Sequence, residues 1–429
     1  MSVKPYPSRR LGEVLKHVRR PITPQPDQSY GLIGVRWYAA GTHLHDTIEG
    51  AKLQAPTLWQ AYEGDIIYNK MWTSKGAFAV VSKETAGLFG TSEYPTFEPR
   101  SDVSARFLRY AFQQSRFWHL AEAWTNGTTE RARLSPRDFL KLPLPLPSLA
   151  EQRAIAEVLA TVEEAIANVA ALIAALVDAK HATMREILTR GIRRDRAPIK
   201  ALPSRWVLGR VAEGVTHIPT DWDLVTLTKV AKLESGHTPS RDKAEYWNGE
   251  IPWLSLADTE ALEALEVDQT SECVTAKGIA NSSARVLPKD TVVFSRTATV
   301  GKASRMKRPM ATSQDFANWV CGPTLVPAYL VQVFRHMERE WDRLQEGSTH
   351  QTIYMPVFKK LQILLPPTTE QQKIADVGEA FDIRIAKERE TRKVLVENRD
   401  ALAQELLSGR IRLPESIIVR HRDKAGQAA

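Results

Sequence analysis

One stretch occurs twice, and no other feature limits the fold so tightly. The first copy runs from Lys141 through Leu142-Pro143-Leu144-Pro145-Leu146-Pro147 to Glu151-Gln152-Arg153-Ala154-Ile155-Ala156. The second runs from Lys360 through Leu361-Gln362-Ile363-Leu364-Leu365-Pro366-Pro367 to Glu370-Gln371-Gln372-Lys373-Ile374-Ala375. The copies align without a gap, and Glu151 and Glu370 stand 219 residues apart in a chain of 429. A period that long points to two copies of a whole domain rather than a solenoid.

Each copy reads as an extended apolar segment, stopped by proline, leading into a helix. Ser148 and Glu151 have the spacing of a capping box, and Thr368 and Gln371 offer the same pairing in the second copy. Beyond the first start, Ile155, Leu159, Val162, Ile166, Val169, Ile173 and Leu176 alternate steps of four and three, a heptad seam. Neither Pro nor Gly interrupts residues 151–188, so a helix there reaches roughly 57 Å at 1.5 Å per residue. The second seam runs through Ile374, Phe381, Ile385, Leu395, Leu402 and Leu406, with Glu388, Arg392 and Arg399 among its positions. Gly191 and Gly409 supply matching stops.

The repeat continues outside this stretch. Asp65 to Lys70 finds Asp290 to Arg296 with one extra residue, and Gly76-Ala77-Phe78 finds Gly301-Lys302-Ala303. A helix over 104–121 corresponds to one over 328–344, and Gly127-Thr128-Thr129 to Gly347-Ser348-Thr349. Short segments such as Gly31 to Tyr38, Asp65 to Tyr68 and Ala77 to Val81 read as strands. The fold class is therefore α/β in composition (α+β in layout): two similar mixed domains, each followed by a long helix.

Several classes are excluded by composition. Two cysteines, Cys273 and Cys321, build neither a disulfide framework nor a four-cysteine zinc site. The apolar run Ala165 to Val177 lies between Glu164 and Asp178 and carries the heptad period, so it reads as a packed helix in a cytoplasmic protein with no membrane partner. A formal charge of +8 suits an anionic partner. No Gly-rich phosphate loop is present, since Arg296 stands where the first glycine would be needed before Gly301-Lys302. His43, His45 and Asp46 could share a strand face, but without a further ligand cluster they read as surface residues, and no metal site is expected.

Together, the half-repeat, the Leu-Pro segment leading into Glu-Gln-x-x-Ile-Ala and the long helix resemble the specificity subunit of type I restriction–modification systems. The second half adds Trp222 to Leu227, Gly236-His237-Thr238-Pro239-Ser240 and Tyr246 to Trp253, which look like the opening of a type I target recognition domain. In the first half, Thr23-Pro24 lacks the preceding glycine of that pattern. The resemblance implies a first target recognition domain over 1–147, a helix over 148–192 and a linker over 193–219. A second recognition domain follows over 220–366, then a helix over 367–412 and a polar tail over 413–429. It implies that the two helices pair as an antiparallel coiled coil about a pseudo-two-fold axis, and that each domain reads half of a split double-stranded DNA target. Two methyltransferase subunits, and through them restriction subunits, would dock on the chain. The chain itself would be non-catalytic and cofactor-free, with S-adenosylmethionine held by the methyltransferase partner. A methylation-only or type II-like system, or a coiled-coil scaffold for proteins, remains open as an alternative.

DNA readers need cations for phosphates and polar side chains for base edges. Loops after the matched strands place Lys70, Trp72, Thr73 and Lys75 in the first half against Arg296, Thr297, Thr299 and Lys302 in the second. A second matched loop offers Asn126, Thr128 and Arg131 against Ser348, His350 and Gln351, and Arg305 and Lys307 add a basic cluster. The repeated pairs Glu151-Gln152 and Glu370-Gln371 are expected to face a partner subunit. Trp118, Trp124, Trp247, Trp253, Trp319 and Trp341 are expected in the cores.

Overall fold

A computed structural model of the chain describes residues 5–127, 132–192, 198–202, 206–347 and 351–422. The chain divides into two compact units, Met1–Asn168 with Thr391–Ala429, and Val169–Glu390. Each unit therefore holds one copy of the repeat and a segment of both long helices, which span Leu149–Arg190 and Thr368–Ser408.

In the first unit a four-stranded antiparallel sheet has the order Leu15–Val18, Thr96–Pro99, Ile66–Tyr68, Phe78–Val80. Its inner face supplies Tyr68, Phe78 and Phe97, which pack on Phe107, Phe112, Phe117 and Phe139. Burying each such ring contributes about 1.5–3 kcal/mol, so this cluster is the main source of cohesion. The second unit repeats the arrangement with Ala231–Ser235, Phe316–Cys321, Val292–Ser295 and Ala303–Met306, and adds Glu266–Val267 as a parallel edge strand. There Phe294, Trp319, Phe334, Trp341 and Phe358 fill the equivalent core. The Pro-rich segments are strands: Pro143–Pro145 pairs with Ser8–Arg10, and Gln362–Leu365 with Asp223–Thr226. The units differ in a second sheet, five-stranded in the first and three-stranded in the second.

Each helix expected within a domain is a pair. The first unit has Ala105–Phe112 and Ser115–Glu122, the second Pro327–His336 and Glu338–Leu344. An indole causes the break in both, because the Trp118 N–H donates to the Phe112 carbonyl and the Trp341 N–H to the Phe334 carbonyl, at 2.5 and 2.7 Å. A carbonyl left free by the end of one helix is thus satisfied from the next. The strand read through Tyr38 ends at Val35, and Trp37–Ala39 form a tight turn.

The long helices belong to the cores. Ile155, Ala156 and Leu159 share the first unit's core with Ala403, Leu406 and Leu407. Glu163 meets Arg399 further along, so residue numbers rise on one helix as they fall on the other and the segments run antiparallel. In the second unit Lys180 meets Asp382 at 2.6 Å and the Ile192 N–H meets Glu370 at 3.1 Å, again antiparallel. Gly191 and Gly409 end the helices in the left-handed region, with φ of 80° and 76°. The middle of the first helix is apolar and long enough to cross a membrane by length and composition, and little of it is buried in the chain. Leu172 is among its exposed residues.

The repeated Glu-Gln pairs are where the structure departs most from the sequence reading. All four side chains are buried and bonded within the chain, so they do not present the partner-facing surface expected of them. Gln152 accepts from the Ser104 N–H and donates to the carbonyls of Asp102 and Pro147. Gln371 accepts from the Val326 N–H and donates to the carbonyls of Thr324 and Pro366. Ser104 and Val326 are the N-caps of Ala105–Phe112 and Pro327–His336, so each glutamine clasps its domain's first helix to the long helix. Glu151 binds Arg412 and Tyr6, while Glu370 accepts from the Trp222 indole and the Ile192 N–H. Neither expected capping box is completed: Ser148 accepts from the Glu151 N–H but the Glu151 carboxylate is engaged by Arg412, and the Gln371 side chain is bonded to Val326, Thr324 and Pro366 rather than back to Thr368.

Candidate nucleic-acid interface

The two matched loops of each domain lie side by side. In the first unit the chain leaves Ile66–Tyr68, turns through Thr73–Lys75 and re-enters the sheet after Gly76, which has φ of 65°. Gly76 is required there, since a Cβ would sit 2.4 Å from the Trp118 ring. The Lys70 N–H donates to Glu93, and the Leu134 N–H donates to the Lys70 carbonyl, both at 3.1 Å. That bond joins the first loop to the second, whose ends are locked by reciprocal bonds between Asn126 and Arg133.

The second unit reproduces these bonds. The Arg296 N–H donates to Asp315 at 3.0 Å, and the Ile353 N–H to the Arg296 carbonyl at 2.9 Å. Glu346 and Thr352 form the reciprocal pair, and the Ala298 N–H donates to Gln351. Lys70 and Arg296 therefore occupy one place in a repeated framework, as their alignment anticipates. Thr128, Arg131, Ser348 and His350 lie outside the described residues.

Side-chain roles diverge between the copies. Among the described residues, neither the Lys70 nor the Lys75 ammonium makes a hydrogen bond or ion pair, and Lys75 is exposed. Thr73 is buried and supports the turn. Asn126 is exposed and donates to Asp138 at 3.3 Å. Arg296 is half-buried and spends its guanidinium on the carbonyls of Gln314 and Ile353, a brace between the loops. Burial pulls its pKa down. Lys302 pairs with Glu263 at 2.9 Å, Arg305 with Glu266 and Glu379, and Lys307 with Asp268. Thr299 and Gln351 are exposed, and Thr297 is partly so.

Two groups beside this face, apart from Trp72, escaped the sequence reading. His17 and Arg19, at the end of Leu15–Val18, line one cleft together with Lys70 and Thr91. Burial, then the charges of Arg19 and Lys70, lower the His17 pKa, so the imidazole is neutral among fixed cations. Its ring stacks on Phe97 with centroids 5.0 Å apart. The run Lys16-His17-Val18-Arg19-Arg20 carried the signal. Trp37, Tyr38 and Trp72 are exposed by 46%, 59% and 42%, contrary to the rule that large aromatics fill cores. Of the tryptophans expected in the cores, Trp253, Trp319 and Trp341 are there, Trp118 and Trp247 are partly covered, and Trp124 is exposed.

His43 and His45 have ring centroids 6.0 Å apart. Among the described residues no group of three or more metal-ligating side chains comes together.

A family model described as the type I restriction modification DNA specificity domain matches residues 4–177 and again 219–398. The MjaIX type I restriction enzyme specificity subunit of Methanocaldococcus jannaschii is 30% identical over 193 residues, covering 44% of this chain and 45% of that protein. The chain thus spans less than half the length of this relative. Among solved structures, one chain from a study of the assembly and conformational transition of the type I R-M system superposes with a TM-score of 0.60 at 17% identity. It covers 95% of this chain and 98% of that one. The HsdS subunit from Thermoanaerobacter tengcongensis gives 0.51 at 17% identity, covering 95% and 97%. These structural likenesses concern the fold. With two matched segments that together span most of its length, the chain belongs to the type I restriction modification DNA specificity family.

Proposed function

We propose that this chain is the sequence-reading subunit of a type I restriction–modification complex, with each unit reading one half of a bipartite double-stranded DNA target. The observation that carries this reading is the repeated pair of braced loops, joined at Lys70 and Leu134 in one unit and at Arg296 and Ile353 in the other. Loops fixed by backbone bonds to a sheet hold their side chains in a set geometry, as direct readout of base edges requires. Lys70, Lys75 and Arg19 give the first unit's face its phosphate-binding character. Thr297, Thr299, Gln351 and Asn126 supply groups suited to base edges.

Methyltransferase subunits, which would bring S-adenosylmethionine and the chemistry, are assigned to the exposed apolar middle of the first long helix. An aqueous surface of that kind calls for a covering partner. Restriction subunits would join through them, and the chain would contribute recognition without catalysis.

The test is a salt titration of DNA binding by the complex assembled with its methyltransferase. Replacing Lys70 and Lys75 together by alanine is expected to weaken binding and to reduce the slope of log affinity against log salt by about two. An unchanged slope would remove both lysines from the interface.

A further inference from the structure

Trp37, Tyr38 and Trp72 form an exposed aromatic surface beside the first unit's loops. The Trp37 and Trp72 rings lie 5.5 Å apart, and Tyr38 leans on Trp118 at 5.7 Å. Such a cluster costs solvation free energy unless something covers it. Neither the Trp37 nor the Trp72 indole N–H has a hydrogen-bond acceptor among the described residues. The second unit treats its comparable indoles differently. Trp247 and Trp253 donate to the carbonyls of Ser240 and His237 and are capped by Arg241, itself held by Glu272.

The backbone also pushes this surface outward. Tyr38 and Ala39 are successive non-glycine residues in the left-handed region, with φ of 59° and 52°, a conformation that is strained for each. It persists because the Ala39 N–H donates to the Gly76 carbonyl at 2.7 Å and the Ala40 N–H to the Trp37 carbonyl at 3.2 Å. The turn carrying Trp37 and Tyr38 is thus fastened to the end of the Lys70–Gly76 loop. Strain maintained this way, on a surface of exposed rings, is a mark of function rather than of packing.

Charge decides what covers the rings. Arg36 precedes Trp37 in the chain, Lys70 and Lys75 stand on the same loop as Trp72, and none of the three pairs with a carboxylate among the described residues. Aromatic rings bordered by free cations suit bases bordered by phosphates. Resting on the DNA-reading function proposed above, we propose that Trp37, Tyr38 and Trp72 are an aromatic wedge that packs against the bases of a locally opened step in the first unit's half-site. Such a wedge would add specificity through DNA deformability, at a step the loops need not contact by hydrogen bonds.

The experiment uses the full chain assembled with its methyltransferase on target duplexes carrying 2-aminopurine at successive positions of each half-site. The native complex should raise the fluorescence at one step of the first unit's half-site other than the base that the methyltransferase itself flips out of the stack. Replacing Trp37 and Trp72 together by alanine should abolish that signal and weaken specific binding by roughly tenfold or more. The salt slope should stay unchanged, since no phosphate contact is removed. Replacing both by phenylalanine, which keeps a ring at each site, should restore most of the signal and controls for misfolding. Three results overturn the proposal: native binding with no fluorescence rise in that half-site beyond the flipped base, such a further rise that survives the alanine pair, or lost methyltransferase assembly in the alanine pair with normal binding in the phenylalanine pair. The last would assign the rings to a protein partner. A native complex that binds target and random duplexes alike would instead refute the reading function on which the wedge rests.

Discussion

Replacing Asp382 by alanine is expected to destabilise the second unit by about 3–5 kcal/mol, the usual cost of removing one partner from a buried ion pair. Asp382 accepts from Lys180 at 2.6 Å, Gln332 at 2.9 Å and Arg335 at 3.0 Å. Lys180 comes from the first long helix, Asp382 from the second, and Gln332 and Arg335 from Pro327–His336. One carboxylate therefore joins both long helices to the sheet-bearing part of the second unit. Arg335 continues the tie by donating to the carbonyls of Leu262, Glu263, Ala264 and Ala303. Without the carboxylate, two cations would remain close together and largely buried. Burial raises the Asp382 pKa, but Lys180 and Arg335 lower it further, and the net direction is down. A carboxylate with a depressed folded pKa stabilises above its unfolded pKa, and that contribution is lost as pH falls through the folded value. The native-minus-variant difference in a urea melt should accordingly be full at neutral pH and shrink on acidification below the ordinary carboxylate range. Glu163 holds the corresponding place in the first unit, accepting from Tyr110 at 3.0 Å and Arg109 at 3.1 Å, with Arg399 at 3.7 Å. Its charged partners are more exposed, so Glu163→Ala should cost less, about 1 kcal/mol for the ion pairs. Equal losses at the two sites would contradict the burial argument.

Replacing Gln371 by leucine should cost about 3 kcal/mol despite the similar volume, because each buried group left unpaired costs about 1–3 kcal/mol. The Val326 N–H and the carbonyls of Thr324 and Pro366 would lose their partner in a fully buried site. Val326 starts the helix that also carries Arg335, so the substitution loosens the sheet-bearing part of the second unit on its long helix. Specific DNA affinity should fall while salt-dependent non-specific binding persists. Gln152→Leu should act likewise on the first unit, through Ser104, Asp102 and Pro147. Calorimetry of the full chain and binding to target and random duplexes measure both effects. Retention of native stability by both variants would show that the glutamines are not clasps.

Repetition was the most legible property of this chain. The 219-residue offset located both Pro-rich segments and both long helices, and matches that follow in the same order at slightly larger offsets located both domains and both pairs of loops. What repetition could not convey was direction. Glu151-Gln152 and Glu370-Gln371 look like surface groups from sequence, since polar residues are mostly exposed. Their partners, at Ser104, Arg412, Val326 and Trp222, are from 45 to 261 residues distant. The same distance hid which matched cations are free: Lys302 is tied to Glu263, 39 residues away, whereas Lys75 is not tied. Trp37 and Tyr38 follow a good strand pattern, and only the positive φ at Tyr38 and Ala39 turns them out of it.

Modular reading of a two-part target is tested most directly by exchanging residues 205–359 for the same region of another member of the family and mapping methylated positions in host DNA. One half of the recognised sequence should change and the other half should be retained. A change in both halves, or in neither, would contradict the assignment of one half-site to each unit.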